Sequence, residues 1–125
     1  MLRVAIVDDD TSHCRALARL LRASGMEASV FASAEEYLEM RNGSTVDCLV
    51  LDIQLGGMSG FELQSRLAAA DPALPVVFLS AHEDPETVAR AAQTGCAYVR
   101  KTESGRTLLE AIRRAAEGRS PVPHG

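Results

Sequence analysis

Apolar positions along this chain follow two different rhythms, and the two rhythms take turns. Mostly unbroken apolar runs occur at Leu2–Val7, Ala28–Phe31, Cys48–Leu51 and Val76–Leu79, with a weaker one at Ala97–Arg100. Runs this short, rich in β-branched residues and bounded by turn formers, read as strands, the continuous ones buried on both faces. Between them apolar residues recur at helical spacing. Cys14, Leu17, Ala18 and Leu21 share one face of a helix predicted over Thr11–Ala23, with Gly25 as its stop. Ser33-Ala34-Glu35-Glu36 and Ser59-Gly60-Phe61-Glu62 are capping boxes, in which hydroxyl and carboxylate reciprocally satisfy free backbone amides. The first box opens a short helix ending near Asn42-Gly43. The second opens one with Phe61, Leu63 and Leu67 available for burial, stopping before Asp71-Pro72. Asp84-Pro85 starts a fourth helix that Gly95 ends. The last helix runs from Gly105 to Glu117, with Leu108, Leu109, Ile112 and Ala116 as its stripe.

Five strands alternating with five helices give a (βα)₅ chain. Parallel strands need crossover connections, so this alternation predicts a doubly wound α/β fold, a five-stranded parallel sheet covered on both faces. There is no repeat and no internal linker. Residues 1–118 form one predicted domain, and 119–125, containing Ser120-Pro121-Val122-Pro123, read as a disordered tail or the start of a linker.

Composition changes this picture only by exclusion. At 46% apolar and 24% charged the chain is ordinary for a soluble globular protein. A net charge of −4 and no Trp argue against a basic nucleic-acid surface and against base-stacking platforms. Cys14, Cys48 and Cys96 are odd in number and widely spaced, which points to reduced thiols in a cytoplasmic protein. The apolar start is too short for a membrane span and runs into three aspartates without a cleavage site.

The candidate chemistry stands at the strand ends. Asp8 and Asp9 follow the first strand, Asp52 ends the third, Ser80 the fourth, and Lys101 follows the fifth. In a doubly wound sheet the carboxyl ends lie along one edge, where such folds place their ligands. Singly, each residue has a plainer role: a helix N-terminus for the acids, a loop hydroxyl, a surface lysine. Their joint placement argues otherwise. Three carboxylates in one cleft call for a hard divalent cation, Mg²⁺ or Mn²⁺, which keeps several waters and completes its shell with phosphate oxygens. A carboxylate can attack phosphorus to give an aspartyl-phosphate, and the Lys101 ammonium and Ser80 hydroxyl can neutralise the equatorial oxygens.

These residues carry a resemblance. Asp8-Asp9, Asp52 with the Leu55–Gly60 loop, Ser80-Ala81 and Tyr98-Val99-Arg100-Lys101 make the chain similar to the receiver domain of bacterial two-component response regulators, over nearly its whole length. The resemblance implies a flavodoxin-like strand order 2-1-3-4-5. It implies that Asp52 accepts a phosphoryl group from a histidine kinase or phosphotransfer protein. It also implies that Asp9 binds the metal directly, that Asp8 acts largely through water, and that the Gln54 carbonyl is a further ligand. Ser80 and Lys101 would contact the phosphoryl group, and Tyr98 would turn as the switch. Output would pass through the face of helix four, strand five and helix five, through which a homodimer can also form. His13, His82 and His124 show no metal-ligand spacing and are expected to be exposed or in loops; His82 alone is placed to face the phosphoryl site.

Three departures from the family pattern stand out. Gly56 replaces the usual proline after the acceptor, predicting a more mobile loop. Thr102 replaces a proline usually joined by a cis bond, predicting a trans Lys101–Thr102 peptide. The Gly95–Lys101 segment is one residue short. Two other readings differ in kind. A phosphohydrolase with an aspartate nucleophile needs a second acid where Gln54 stands, and a phosphorylation-independent interaction domain has no evident use for the intact acidic set. The Phe31–Leu38 stretch resembles receivers that precede DNA-binding helix-turn-helix domains.

Overall fold

The computed structural model describes residues 1–41, 46–81 and 84–118. Ten elements alternate as predicted: β1 (Arg3–Val7), α1 (Thr11–Ala23), β2 (Glu27–Phe31), α2 (Ala34–Arg41), β3 (Cys48–Asp52), α3 (Gly60–Ala70), β4 (Val76–Ser80), α4 (Pro85–Thr94), β5 (Ala97–Arg100) and α5 (Gly105–Gly118). The strands form one parallel sheet in the order β2-β1-β3-β4-β5. The expected end of α2 at Asn42-Gly43 and the tail over 119–125 lie outside the described residues.

Burial follows strand position. Every residue of β3 and β4 is buried, because both strands are flanked by strands and covered on both faces. β2 is an edge strand and begins one residue earlier than its apolar run, at Glu27; Ser29 and Val30 on it are exposed.

Successive strand residues point to opposite faces, and this divides the core in two. Val4, Ile6, Val50, Val77, Leu79 and Val99 pack beneath α1 and α5, against Leu17, Leu21, Leu108 and Ile112. Ala5, Val7, Leu49, Leu51 and Phe78 pack on the other side, against Tyr37 of α2, Leu63 and Leu67 of α3, and Ala91 of α4. All four stripe residues of α1 are buried as the helical spacing requires.

The helix starts are fixed by side chains taking up free amides. Asp10 accepts from the His13 amide (3.1 Å), Ser59 from that of Glu62 (3.1 Å), and Asp84 from that of Thr87 (3.0 Å) with Pro85 behind it. At α2 the Ser33 hydroxyl accepts from the Glu36 amide (3.0 Å), but the Glu36 carboxylate takes the Ala32 amide (3.2 Å) rather than that of Ser33. The reciprocal half of that box is shifted one residue upstream.

α3 begins pressed against the end of β3. The Gly60 amide donates to the Ile53 carbonyl (2.9 Å). A Cβ at Gly60 would run into the carbonyl oxygen of Asp52 and lie 2.8 Å from the Ile53 Cα, both fixed backbone. Gly60→Ala should therefore destabilise the fold by about 1–3 kcal/mol through overpacking. Urea denaturation will check this as a lower midpoint at an unchanged slope.

Candidate functional site

The alternation that builds the core also aims the polar residues at its edge. Asp8, one step past β1, continues the side of Val4 and Ile6; Asp52 continues that of Val50; Lys101 continues that of Val99. All three reach the α1 side of the sheet end, and they meet there. The Lys101 ammonium lies 2.9 Å from Asp52 Oδ2 and 3.2 Å from Asp8 Oδ2. Its own backbone amide donates to the Ser80 carbonyl (2.9 Å), so the β4–β5 ladder positions the lysine. The two acids share a local device: Oδ1 of each accepts the amide two residues on, Asp10 for Asp8 (2.9 Å) and Gln54 for Asp52 (3.0 Å).

Asp8 and Asp52 are 1% and 4% exposed, which makes their charges costly. Burial pushes Asp52 up to about 6; the Lys101 and Gln54 hydrogen bonds pull it back, and neighbouring Asp8 raises it again. Burial raises Asp8 as well, but the hydrogen bonds from His13 and the Asp10 amide, with Lys101 nearby, bring it below the ordinary carboxylate range. Lys101 is held above its usual value: burial opposes its charge, and the hydrogen bonds and proximity of Asp52 and Asp8 outweigh that. The pair is thus divided, with Asp8 the firmer anion and Asp52 the first to take a proton.

Asp9 stands exposed at the mouth, and its Oδ2 accepts from the Gly56 amide (3.3 Å). One carboxylate oxygen from each of Asp8, Asp9 and Asp52 lies within 4.8 Å of the others. Hard oxygen donors this close, two buried and one open to solvent, fit a small divalent cation that retains water. The loop beside them is tied at a second point, where Glu35 at the start of α2 accepts the Met58 amide (3.2 Å). Gly57 between the two ties has φ +84°, a left-handed conformation that suits glycine.

The response regulator receiver domain family matches residues 4–113. The chain is 36% identical over 115 residues to nodulation protein W of Bradyrhizobium diazoefficiens, covering 91% of this chain and 51% of that protein. It is 34% identical over 113 residues to response regulator protein TodT of Pseudomonas putida, covering 90% and 50%. A CheY-like response regulator receiver domain protein of Methanospirillum hungatei superposes with a TM-score of 0.87 at 27% identity, over 95% of this chain and 96% of that one. The chain belongs to the response regulator receiver domain family. It spans about half the length of the curated relatives it matches.

Within this receiver domain, Ser80 and Tyr98 fall on the other side of the sheet from the carboxylates. Ser80 is fully buried as the last residue of β4, beyond Leu79, which pairs with Asp52. Tyr98 pairs with Phe78 across β4 and β5 and is half-buried against the core under α3 and α4. The short Gly95–Lys101 segment does not pull Lys101 out of the site, and the Lys101–Thr102 peptide is trans, as Thr102 predicts. His82 lies outside the described residues. A groove of about 910 Å³ beside β5, between α3 and α5, is lined in part by Tyr98 but by none of the carboxylates, Ser80 or Lys101. No helix among the described residues is long and apolar enough to cross a membrane. All three cysteines are free; burial pushes the Cys14 thiol up to about 11 and the Cys48 thiol up to about 12.

His13 departs from what its sequence position predicts. It is neither exposed nor in a loop: it sits in the first turn of α1, half-buried, with Nδ1 2.6 Å from Asp8 Oδ2. The signal was present in its position one turn before Leu17, at the edge of the buried stripe of α1. Only the contact with a strand end gives that position meaning.

The raised value of Asp52 has a consequence for stability. Its folded value of about 6 exceeds the ordinary 3.8, so the folded state binds its proton more tightly than the unfolded state. Without metal, this carboxyl should cost stability progressively as pH rises from about 4 to about 6, and the cost should persist above. Asp52→Asn should remove that slope and be more stable at pH 7 by about 3 kcal/mol, measured by chemical denaturation at each pH.

Proposed function

We propose that this receiver domain is a phosphorylation-controlled switch in which Asp52 accepts a phosphoryl group from a histidine kinase or phosphotransfer protein in the cytoplasm. The observation that carries this reading is the Lys101 ammonium bridging buried Asp8 and Asp52, with exposed Asp9 beside them. An Asp52 carboxylate oxygen attacks phosphorus, the N–P bond of the donor phosphohistidine breaks, and the electron pair leaves on the imidazole nitrogen. At neutral pH Asp52 is ionised and so able to attack, since its value lies near 6. Lys101 can neutralise one equatorial oxygen as charge accumulates, and the Ser80 hydroxyl another.

Asp9, Asp52 and the Gln54 carbonyl would hold Mg²⁺ or Mn²⁺ directly, with Asp8 acting through water. When bound, the cation supplies positive charge to the phosphoryl oxygens. Gln54, two residues past Asp52, supplies no acid to a departing group, which suits a site that keeps its phosphate and loses it slowly. Ser80 and Tyr98 lie on one side of neighbouring strands, diagonal to each other, since Tyr98 pairs with Phe78, two residues before Ser80 on β4. Movement of Ser80 toward phosphate would open space for Tyr98 to turn inward, remodelling the face of α4, β5 and α5. That face would meet the output partner or a second copy. In a full-length regulator an effector would occupy the other half.

Acetyl phosphate with Mg²⁺ should add one phosphoryl group to the protein, read by intact mass, and Asp52→Asn should add none. Absence of the adduct in the wild type, or its survival in the variant, would overturn the assignment.

A further inference from the structure

Three hydrogen bonds close a ring between the first strand and the first helix. The Asp10 amide donates to Asp8 Oδ1 (2.9 Å), the His13 amide to Asp10 Oδ1 (3.1 Å), and the His13 ring nitrogen Nδ1 meets Asp8 Oδ2 (2.6 Å). We propose that His13 is a positioning residue of the acidic site, fixing Asp8 and thereby setting how strongly the site takes a divalent cation. The proposal rests on the reading of Asp8, Asp9 and Asp52 as a metal site.

An ionised carboxylate only accepts, so Nδ1 carries the proton in this contact. The ring belongs to a helix whose buried face is anchored by Cys14, Leu17, Ala18 and Leu21, so the donor is held rigidly. With Oδ1 taken by the Asp10 amide and Oδ2 by His13 and Lys101, both oxygens of Asp8 are already engaged. That favours a contact with a cation through water over direct ligation.

His13 also decides where the ammonium sits. It competes with Lys101 for one oxygen and holds the shorter contact, 2.6 Å against 3.2 Å, which leaves Lys101 nearer Asp52 at 2.9 Å. Without the imidazole, Lys101 can close on Asp8 and give an internal ion pair that an entering cation must disrupt. Asp8 would lose one of its three anchors in the same change. Direct ligation by the imidazole is not what the geometry offers: the mutually close ligand atoms are those of Asp8, Asp9 and Asp52. Partners of this kind, bonded to a metal-site carboxylate, typically change metal affinity 10–100-fold.

Calorimetric titration of the full chain with Mg²⁺ separates the possibilities. His13→Leu should raise the Kd about tenfold. His13→Asn, whose Nδ2 can donate from the place of Nδ1, should remain close to wild type. Long-range ¹H–¹⁵N NMR of the metal-free wild type should show the Nδ1–H tautomer. An unchanged or lower Kd in His13→Leu, equal weakening in both variants, or an Nε2–H tautomer would overturn the proposal. A wild type that takes up no Mg²⁺ would instead sink the metal-site reading beneath it. Should His13→Leu fail to fold, the Asn variant and the tautomer still decide.

Discussion

Two buried carboxylates, ending neighbouring strands of one parallel sheet, share a single ammonium. Oxygens of Asp8 and Asp52 lie within 4.8 Å of each other, a repulsion of about 3 kcal/mol at an effective dielectric constant of about 20. Lys101 offsets part of it and leaves one negative charge over. The sheet enforces this closeness because β1 and β3 are hydrogen-bonded neighbours in fixed register, Val7 opposite Leu51. The site therefore carries an unmet demand for positive charge at its core, and its other features follow from that demand. Asp52 is easily protonated, Asp8 is surrounded by donors, and exposed Asp9 extends the negative edge toward solvent.

Strand alternation sorts what happens around that charge. One side of the sheet end receives Asp8, Asp52 and Lys101, together with α1. The other receives Tyr98 and, by the same parity, Ser80. Charge chemistry and the aromatic packing under α3 and α4 are thus separated by the thickness of a single sheet, with Lys101 three residues beyond Tyr98 in the chain.

The loop after β3 shows how departures from the family pattern are accommodated. Gly56 carries no proline stiffness, but its amide is bonded to Asp9, and Glu35 of α2 captures the Met58 amide beyond it. Two acids on separate elements thereby tie a loop that its own sequence leaves free. At Lys101–Thr102 the trans peptide coexists with a lysine still in reach of both carboxylates, because the Lys101 amide is already fixed to Ser80 in the sheet ladder.

By itself the sequence determined the elements, their alternation and the residues that end the strands. Those depend on local periods: period two or an unbroken apolar run for strands, 3.6 for helices, and caps such as Ser59 and Asp84 that act within three residues. It also determined that Asp8, Asp9, Asp52, Ser80 and Lys101 share one edge, since parallel crossovers leave no other arrangement. Only the tertiary structure decided which of them touch. Lys101 bridges Asp8 and Asp52 because strand register brings their tips within hydrogen-bond reach, while Ser80, equally at a strand end, falls on the opposite side by parity. Glu35 and His13 became visible only in three dimensions, because each acts on a segment that its own helical pattern does not encode. The imidazole at position 13 is a polar residue at a stripe's edge until α1 packs over β1, and then it is a partner of a buried charge.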